Sequence, residues 1–417
     1  MTSTAASRRP GTTASTVSGP VFGLVAIGLL AVAFVAVAFG LVLAEGSYVP
    51  AADGLPDPGP IVGWGTPILR TLTDIAAVVT IGWLLAAAFL DPSSRDGVVS
   101  RTGRFDLRLA TASALAWAVL ALLQMFFELA NVLGLPLSKA ASPDIVSTYA
   151  NEIPTTRALL FMAILAFVVA VGSLITATTG AGAAWLLVAV AGASLPAIAG
   201  HAAGLGDHAL ATTAGVTHVG AAVLWIGGLL ALAVHAARRD MPLERPARRF
   251  ATIALIAILL LAVSGAANAY TRLDNIGQLF TTGYGQVVLM KTGLILGLAV
   301  IGWIMRSRVI GSIGRSSRAS VFARIAGLEL TVMAAAVGLG VALASSPTPR
   351  VEVLLDTYGE SLLGFPYPPA PTLANVTLGF NLDPLFLTLS LVAAALYVIG
   401  VVRLRRRGDA WPVLRTV

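Results

Sequence analysis

The chain has 417 residues, of which 57% are hydrophobic and 11% charged, and its mean hydropathy is +0.87. A soluble domain carries about 25% charged residues, so a soluble multidomain enzyme is excluded and a polytopic membrane protein remains. With no cysteine and only four histidines, disulfide frameworks, zinc fingers, iron–sulfur clusters, thiolate metal sites and cysteine nucleophiles are excluded as well.

Apolar runs long enough to cross a bilayer predict about ten helices, at 20–44, 66–90, 108–133, 155–178, 183–203, 212–236, 250–270, 284–305, 320–345 and 383–402. No alternating polar/apolar pattern appears, so the expected fold is all-α rather than a barrel. The first run ends in Val42-Leu43-Ala44, which suits a signal peptidase, but it is too long for an h-region of about 7–15 residues and reads as a retained anchor. Orientation comes from the arginines that make up the +7 net charge. Arg8 and Arg9 precede the first run. Arg95, Arg101, Arg104 and Arg108 follow the second, and Arg238, Arg239, Arg245, Arg248 and Arg249 follow the sixth. Arg306, Arg308, Arg315, Arg318 and Arg324 follow the eighth, and Arg403, Arg405, Arg406, Arg407 and Arg415 the tenth. A ten-helix chain puts all of these on one side, which the positive-inside rule makes cytoplasmic, with both termini inside.

This divides the chain into a disordered cytoplasmic N-terminus (1–19), a helical membrane domain (20–345, core 183–305), an extracytoplasmic Pro-rich loop (346–382), and a last helix with a basic tail (383–417). The loop holds Glu352, Asp356, Glu360 and Tyr367-Pro368-Pro369-Ala370-Pro371, and reads as a solvated loop rather than a metal collector. With the basic residues accounted for by topology, no nucleic-acid partner is expected; the partner is the lipid bilayer of the plasma membrane. There is no GxxxxGK[ST] phosphate loop, no HExxH and no GxSxG, so neither ATP-driven pumping nor hydrolysis is indicated and no enzyme is expected.

Ionisable groups at membrane depth are costly and are functional candidates by default. His201 lies at the outer end of the fifth run, His208 follows in a short loop, and His218 stands within the sixth. A tight connection makes these two helices antiparallel neighbours, so three imidazoles approach one extracytoplasmic point. Neutral imidazole is a preferred ligand for copper and other late transition metals, which makes His201 and His218 candidate metal ligands, with His208 a further one. His235, at the other end of the sixth run beside Arg238 and Arg239, reads as an ordinary interfacial histidine.

Asp74, Met125 with Glu128, Met290 with Lys291, and Glu329 with Met333 supply carboxylates and thioethers as stepping sites for a cation. Alternatively they are structural pairs, such as Lys291 with Glu128 or Asp74. Arg70, Arg157 and Asn268 add polar groups on the outer side, and Gly293-x-x-x-Gly297 offers a helix-packing seam.

The stretch Gly200-His201-Ala202 … His208 … His218 … Ala222-Val223-Leu224-Trp225-Ile226-Gly227-Gly228-Leu229 resembles the core of the copper resistance D (CopD) family. Ala247-Arg248-Arg249-Phe250, Val263-Ser264-Gly265, and Thr282-Gly283-Tyr284-Gly285 leading to Lys291 extend the resemblance over about 200–305; the preceding spans fit by general character. Leu382-Asp383-Pro384-Leu385-Phe386 and Arg403-Leu404-Arg405-Arg406-Arg407-Gly408-Asp409-Ala410-Trp411-Pro412 resemble the opening helix of a CtaG-type cytochrome c oxidase assembly domain, as joined in actinobacterial fusions, of which this chain lacks nearly all the rest.

The resemblance implies a membrane protein that handles copper and moves it inward. An extracytoplasmic copper-binding protein or the oxidase assembly machinery are the partners it implies. Two other readings stand beside it: a haem-binding redox protein, with two histidines ligating one iron axially, and a copper-holding assembly factor without transport.

Overall fold

The structure is a computed structural model that describes residues 19–90, 97–199, 208–305, 307 and 318–350. The long helices are α1 (Gly19–Leu43), α2 (Pro60–Leu85), α3 (Arg101–Leu133), α6 (Pro154–Ile175), α7 (Thr179–Ala199), α8 (His208–Arg238), α9 (Glu244–Tyr270), α11 (Gly283–Ile304) and α12 (Arg318–Ser345). Short helices α4 (Leu137–Ala140), α5 (Pro143–Tyr149) and α10 (Gln278–Thr281) sit in connections. Nine helices among the described residues are long and apolar enough to cross a membrane. The predicted tenth, 383–402, lies outside them, as do the loop 351–382 and the basic tail. The fold is that of an all-α, multi-pass membrane protein, and the one β-bridge among the described residues joins Val98 to Thr178.

Several helices begin earlier than their hydropathy implies, α2, α3 and α9 by six or seven residues. Pro60 in its first turn starts α2 six residues before the apolar run, because proline costs nothing where no N–H partner exists. Ser100 caps α3 by accepting from the Gly103 N–H at 3.0 Å, so α3 opens at Arg101 with a charged turn that projects past the apolar core. It ends at Gly134, whose φ of 61° is the left-handed conformation of a helix stop.

One buried cluster joins α2, α3, α6 and α7 around Trp117, Ala110, Ala121 and Met125. A second joins α8, α9 and α12 around Trp225, Leu232, Phe250 and Met333. The two meet where α2 crosses α8. A Cβ on Gly82 would strike the Gly227 carbonyl, and one on Gly227 would strike the backbone of Val78 and Gly82, so these backbones touch. The predicted Gly293/Gly297 seam does not form among the described residues, since a Cβ at either meets no atom within 4 Å. Small residues do bring α1 and α12 together, at Gly338 against the Ala33 carbonyl and Gly40 against Ala342.

Candidate functional site

His218 is placed by α8 about 15 Å from that helix's first residue, at the end opposite the arginines. Its Nδ1 lies 3.0 Å from Ser264 Oγ of α9, and its Nε2 lies 3.5 Å from Lys291 Nζ of α11. An ammonium has no lone pair to offer. The assignment that satisfies all partners therefore has Nδ1–H donating to Ser264, with Nε2 accepting from Lys291. Ser264 in turn donates to the Leu261 carbonyl at 3.4 Å.

One turn further along α9, Asn268 donates to the Ser264 carbonyl at 2.9 Å and accepts from Arg272 at 2.7 Å, which holds the guanidinium against α9. Gly265 lets α9 lie against the ring, and Gly340 of α12 backs the lysine, whose Nζ would be 3.0 Å from a Cβ there. Asp74 of α2 is reached by the charges of Arg70 and Lys291, and Arg272 acts on both His218 and Lys291. The result is one neutral imidazole among three cationic groups and one carboxylate.

The other sequence candidates distribute unevenly. His201 lies outside the described residues, and His208 is placed only as the first residue of α8. The predicted neighbours, spans five and six, do pack as α7 on α8. Met125 is buried in the first cluster and Met333 in the second. Glu128 is half-buried, and neither it nor Asp74 forms a direct ion pair with Lys291 among the described residues, although the charge of Lys291 reaches Asp74. Met290 is 42% exposed and faces an apolar groove with Val35, Phe39 and Leu339, turned away from the lysine beside it. Arg157 is exposed. Glu329 is buried, and its Oε1 has no hydrogen-bond partner among the described residues. Outside the spans, Asp57 accepts from the Gly59 N–H at 2.9 Å. That bond, helped by the Tyr48 hydroxyl, holds its carboxyl below the usual carboxylate range.

His235 corrects the reading of an ordinary interfacial residue. It is fully buried, with Nε2 3.2 Å from Asp106 Oδ1 of α3 and Nδ1 2.8 Å from Asp240 Oδ1 just beyond α8. Trp83 of α2 meets it edge to face at 6.1 Å. Arg238 pairs with Asp240 at 2.9 Å and lies over the Phe105 ring at 4.2 Å. Asp106 escaped the sequence reading because the third span was expected to begin at 108, which put this aspartate in a loop. The Ser100 cap would have signalled the earlier start. Among the described residues no three histidine, aspartate or glutamate side chains are grouped to hold a metal.

Comparison with known proteins matches residues 244–343 to the family described as copper resistance protein D. Residues 60–210 match the copper resistance protein D-like N-terminal domain, so the likeness reaches further towards the N-terminus than about 200–305. A copper transport protein of Bacillus subtilis, CutJ, is 32% identical over 113 residues, covering 26% of this chain and 21% of that protein. An uncharacterised protein of Mycobacterium leprae is 24% identical over 369 residues, covering 88% of this chain and 53% of its own length. The chain thus spans at most about half the length of these relatives. No solved structure matches. These likenesses support a copper-related, multi-pass membrane protein; the resemblance of 383–417 to an oxidase assembly domain falls outside both matched stretches.

Proposed function

We propose that this chain belongs to the copper resistance D family and carries copper inward across the plasma membrane, taking the ion from the extracytoplasmic side at His218. The observation that carries this reading is a neutral imidazole whose coordinating nitrogen is occupied by a tethered cation. Lys291 Nζ stands 3.5 Å from Nε2, on the side where a metal would approach. Copper binding requires that ammonium to leave, and Asp74, whose carboxylate already interacts with it, is the anion to receive it. His201 and His208 are the remaining ligands of the outer site. Met333 and Glu329, one turn apart on α12, are soft and anionic replacement ligands at mid-depth, where a desolvated ion needs them.

Import is tested with the full chain in vesicles loaded with a copper chelator: copper appears inside with the protein and not without it. Stoichiometric binding without flux would favour the copper-holding assembly factor instead. A haem on His218 would require Lys291 and α11 to withdraw from Nε2, and an absorption spectrum with a Soret band is the result that would support it.

The tethered-cation arrangement makes a separate prediction for Lys291→Met. Two unit charges about 4 Å apart repel by about 4 kcal/mol at an effective dielectric constant near 20. Removing the ammonium should therefore tighten copper binding at His218 by at least about tenfold, since each tenfold is about 1.4 kcal/mol. Competition titration of the detergent-purified chain with a copper chelator measures it. Weaker binding in the variant would mean that Lys291 supports the ion rather than blocking it.

A further inference from the structure

We infer that Asp106, His235 and Asp240 form a proton-binding site that closes the arginine-rich end of the bundle when it is occupied. The argument is one of donors. A neutral imidazole carries a single N–H, yet each nitrogen of His235 faces a carboxylate oxygen, at 3.2 Å for Asp106 and 2.8 Å for Asp240. Both contacts are satisfied only when the ring holds a second proton. With that proton lost, one carboxylate faces a lone pair, and the longer, fully buried contact to Asp106 is the one to fail, because Asp240 keeps both the shorter bond and Arg238.

That contact matters for the fold. α3 and α8 pack chiefly through α2, which lies against both, so the Asp106–His235 pair is a direct tie between them. The proton has a short route to water: Asp240 and Arg238 side chains are 25% and 39% exposed, whereas Asp106 and His235 are buried.

The charged groups meeting the ring are Asp106 from α3 and Asp240 from beyond α8, the latter shared with Arg238. α2 presents Trp83, and α7 has no ionisable residue. On α9, Arg249 donates to the Phe89 carbonyl and Arg248 pairs with Glu244. Arg324 of α12 is exposed. Among the described residues Arg238 is the positive group that meets these carboxylates, and it does so at Asp240, which leaves the imidazolium to face Asp106.

The inference rests on the copper-transport reading for what closure serves, while the site itself is independent of copper. Because the chain has no cysteine, the exposed pair Arg108→Cys and Arg239→Cys takes two spin labels without background. Their separation is measured by pulsed dipolar spectroscopy on the full chain in lipid nanodiscs at about pH 5 and about pH 9, which bracket the ordinary histidine range. The expected result is a short, narrow distance at low pH and a longer, broader one at high pH.

His235→Gln, whose amide offers N–H groups on one side only, should give the long distance at both. Asp106→Asn should give the short distance at both, since its amide donates to neutral Nε2 while Nδ1–H stays with Asp240. Distances in the unsubstituted background that do not move with pH overturn the inference, as does an Asp106→Asn chain that still shifts fully. If His235→Gln does not fold, the Asp106→Asn arm decides alone. Absence of copper uptake would overturn the proposed function and leave this measurement standing.

Discussion

Copper uptake into vesicles should fall by about 100-fold or more when His218 is replaced by alanine, and by about tenfold when Ser264 is. The two losses differ because the two residues act at different removes. In the proposed site His218 supplies the coordinating nitrogen, and the nearby carboxylate is a poor substitute: Asp74 already feels the charges of Arg70 and Lys291. Ser264 touches no metal; its hydroxyl 3.0 Å from Nδ1 keeps the proton on that nitrogen and the lone pair on Nε2, where Lys291 waits. Without the serine the ring can turn or change tautomer, which weakens a ligand without deleting it. Uptake is read as chelated copper inside vesicles over a time course, with reconstituted protein quantified in each sample. Unchanged uptake in His218→Ala would refute the site. A Ser264→Ala chain as dead as His218→Ala would mean that the hydroxyl itself contacts the ion.

The membrane class, the helix count over the described residues and the place of His218 within a long apolar helix are all legible in the sequence, because desolvation acts on each residue locally. A run of apolar side chains must be lipid-facing or buried, whatever its neighbours do. The partners of His218 are legible only in part. Ser264 and Lys291 both fall inside the stretches that carry the family resemblance, yet no spacing rule links residues 46 and 73 positions away; helix packing does. The same limit hid the inner cluster. Hydropathy places helix ends where the apolar residues stop, but Asp106 lies in the second turn of a helix that a serine cap starts before that point, and its carboxylate meets His235 of α8. The methionines show the reverse failure: Met125, Met290 and Met333 look alike as soft ligands in sequence, whereas packing buries two of them in separate cores and turns Met290 to an apolar groove.

Gly82→Val, or Gly227→Val, should lower stability by about 1–3 kcal/mol or more, whereas Gly293→Val should be nearly silent. A side chain at Gly82 runs into the Gly227 carbonyl, and backbone cannot rotate away as a long side chain can; one at Gly293 meets no protein atom within 4 Å. Of the two pairs, only Gly293-x-x-x-Gly297 reads as a helix-packing motif in sequence, so the contrast separates contact from motif. Thermal unfolding of the purified chain, followed by the fraction remaining monodisperse, measures it; equal losses at Gly82 and Gly293 would contradict the crossing.

The consequence reaches function because of where the crossing lies. On α8, Gly227 stands about 13 Å from His218 and about 12 Å from His235 at the helical rise of 1.5 Å per residue. On α2, Gly82 lies between Asp74 and the Trp83 that abuts His235. Forcing the two backbones apart at that point displaces the outer and inner clusters together. A Gly82→Ala chain, the mildest version, should therefore lose copper uptake and the pH-dependent label movement in the same proportion. Loss of one with the other intact would show that the two ends of the bundle work independently.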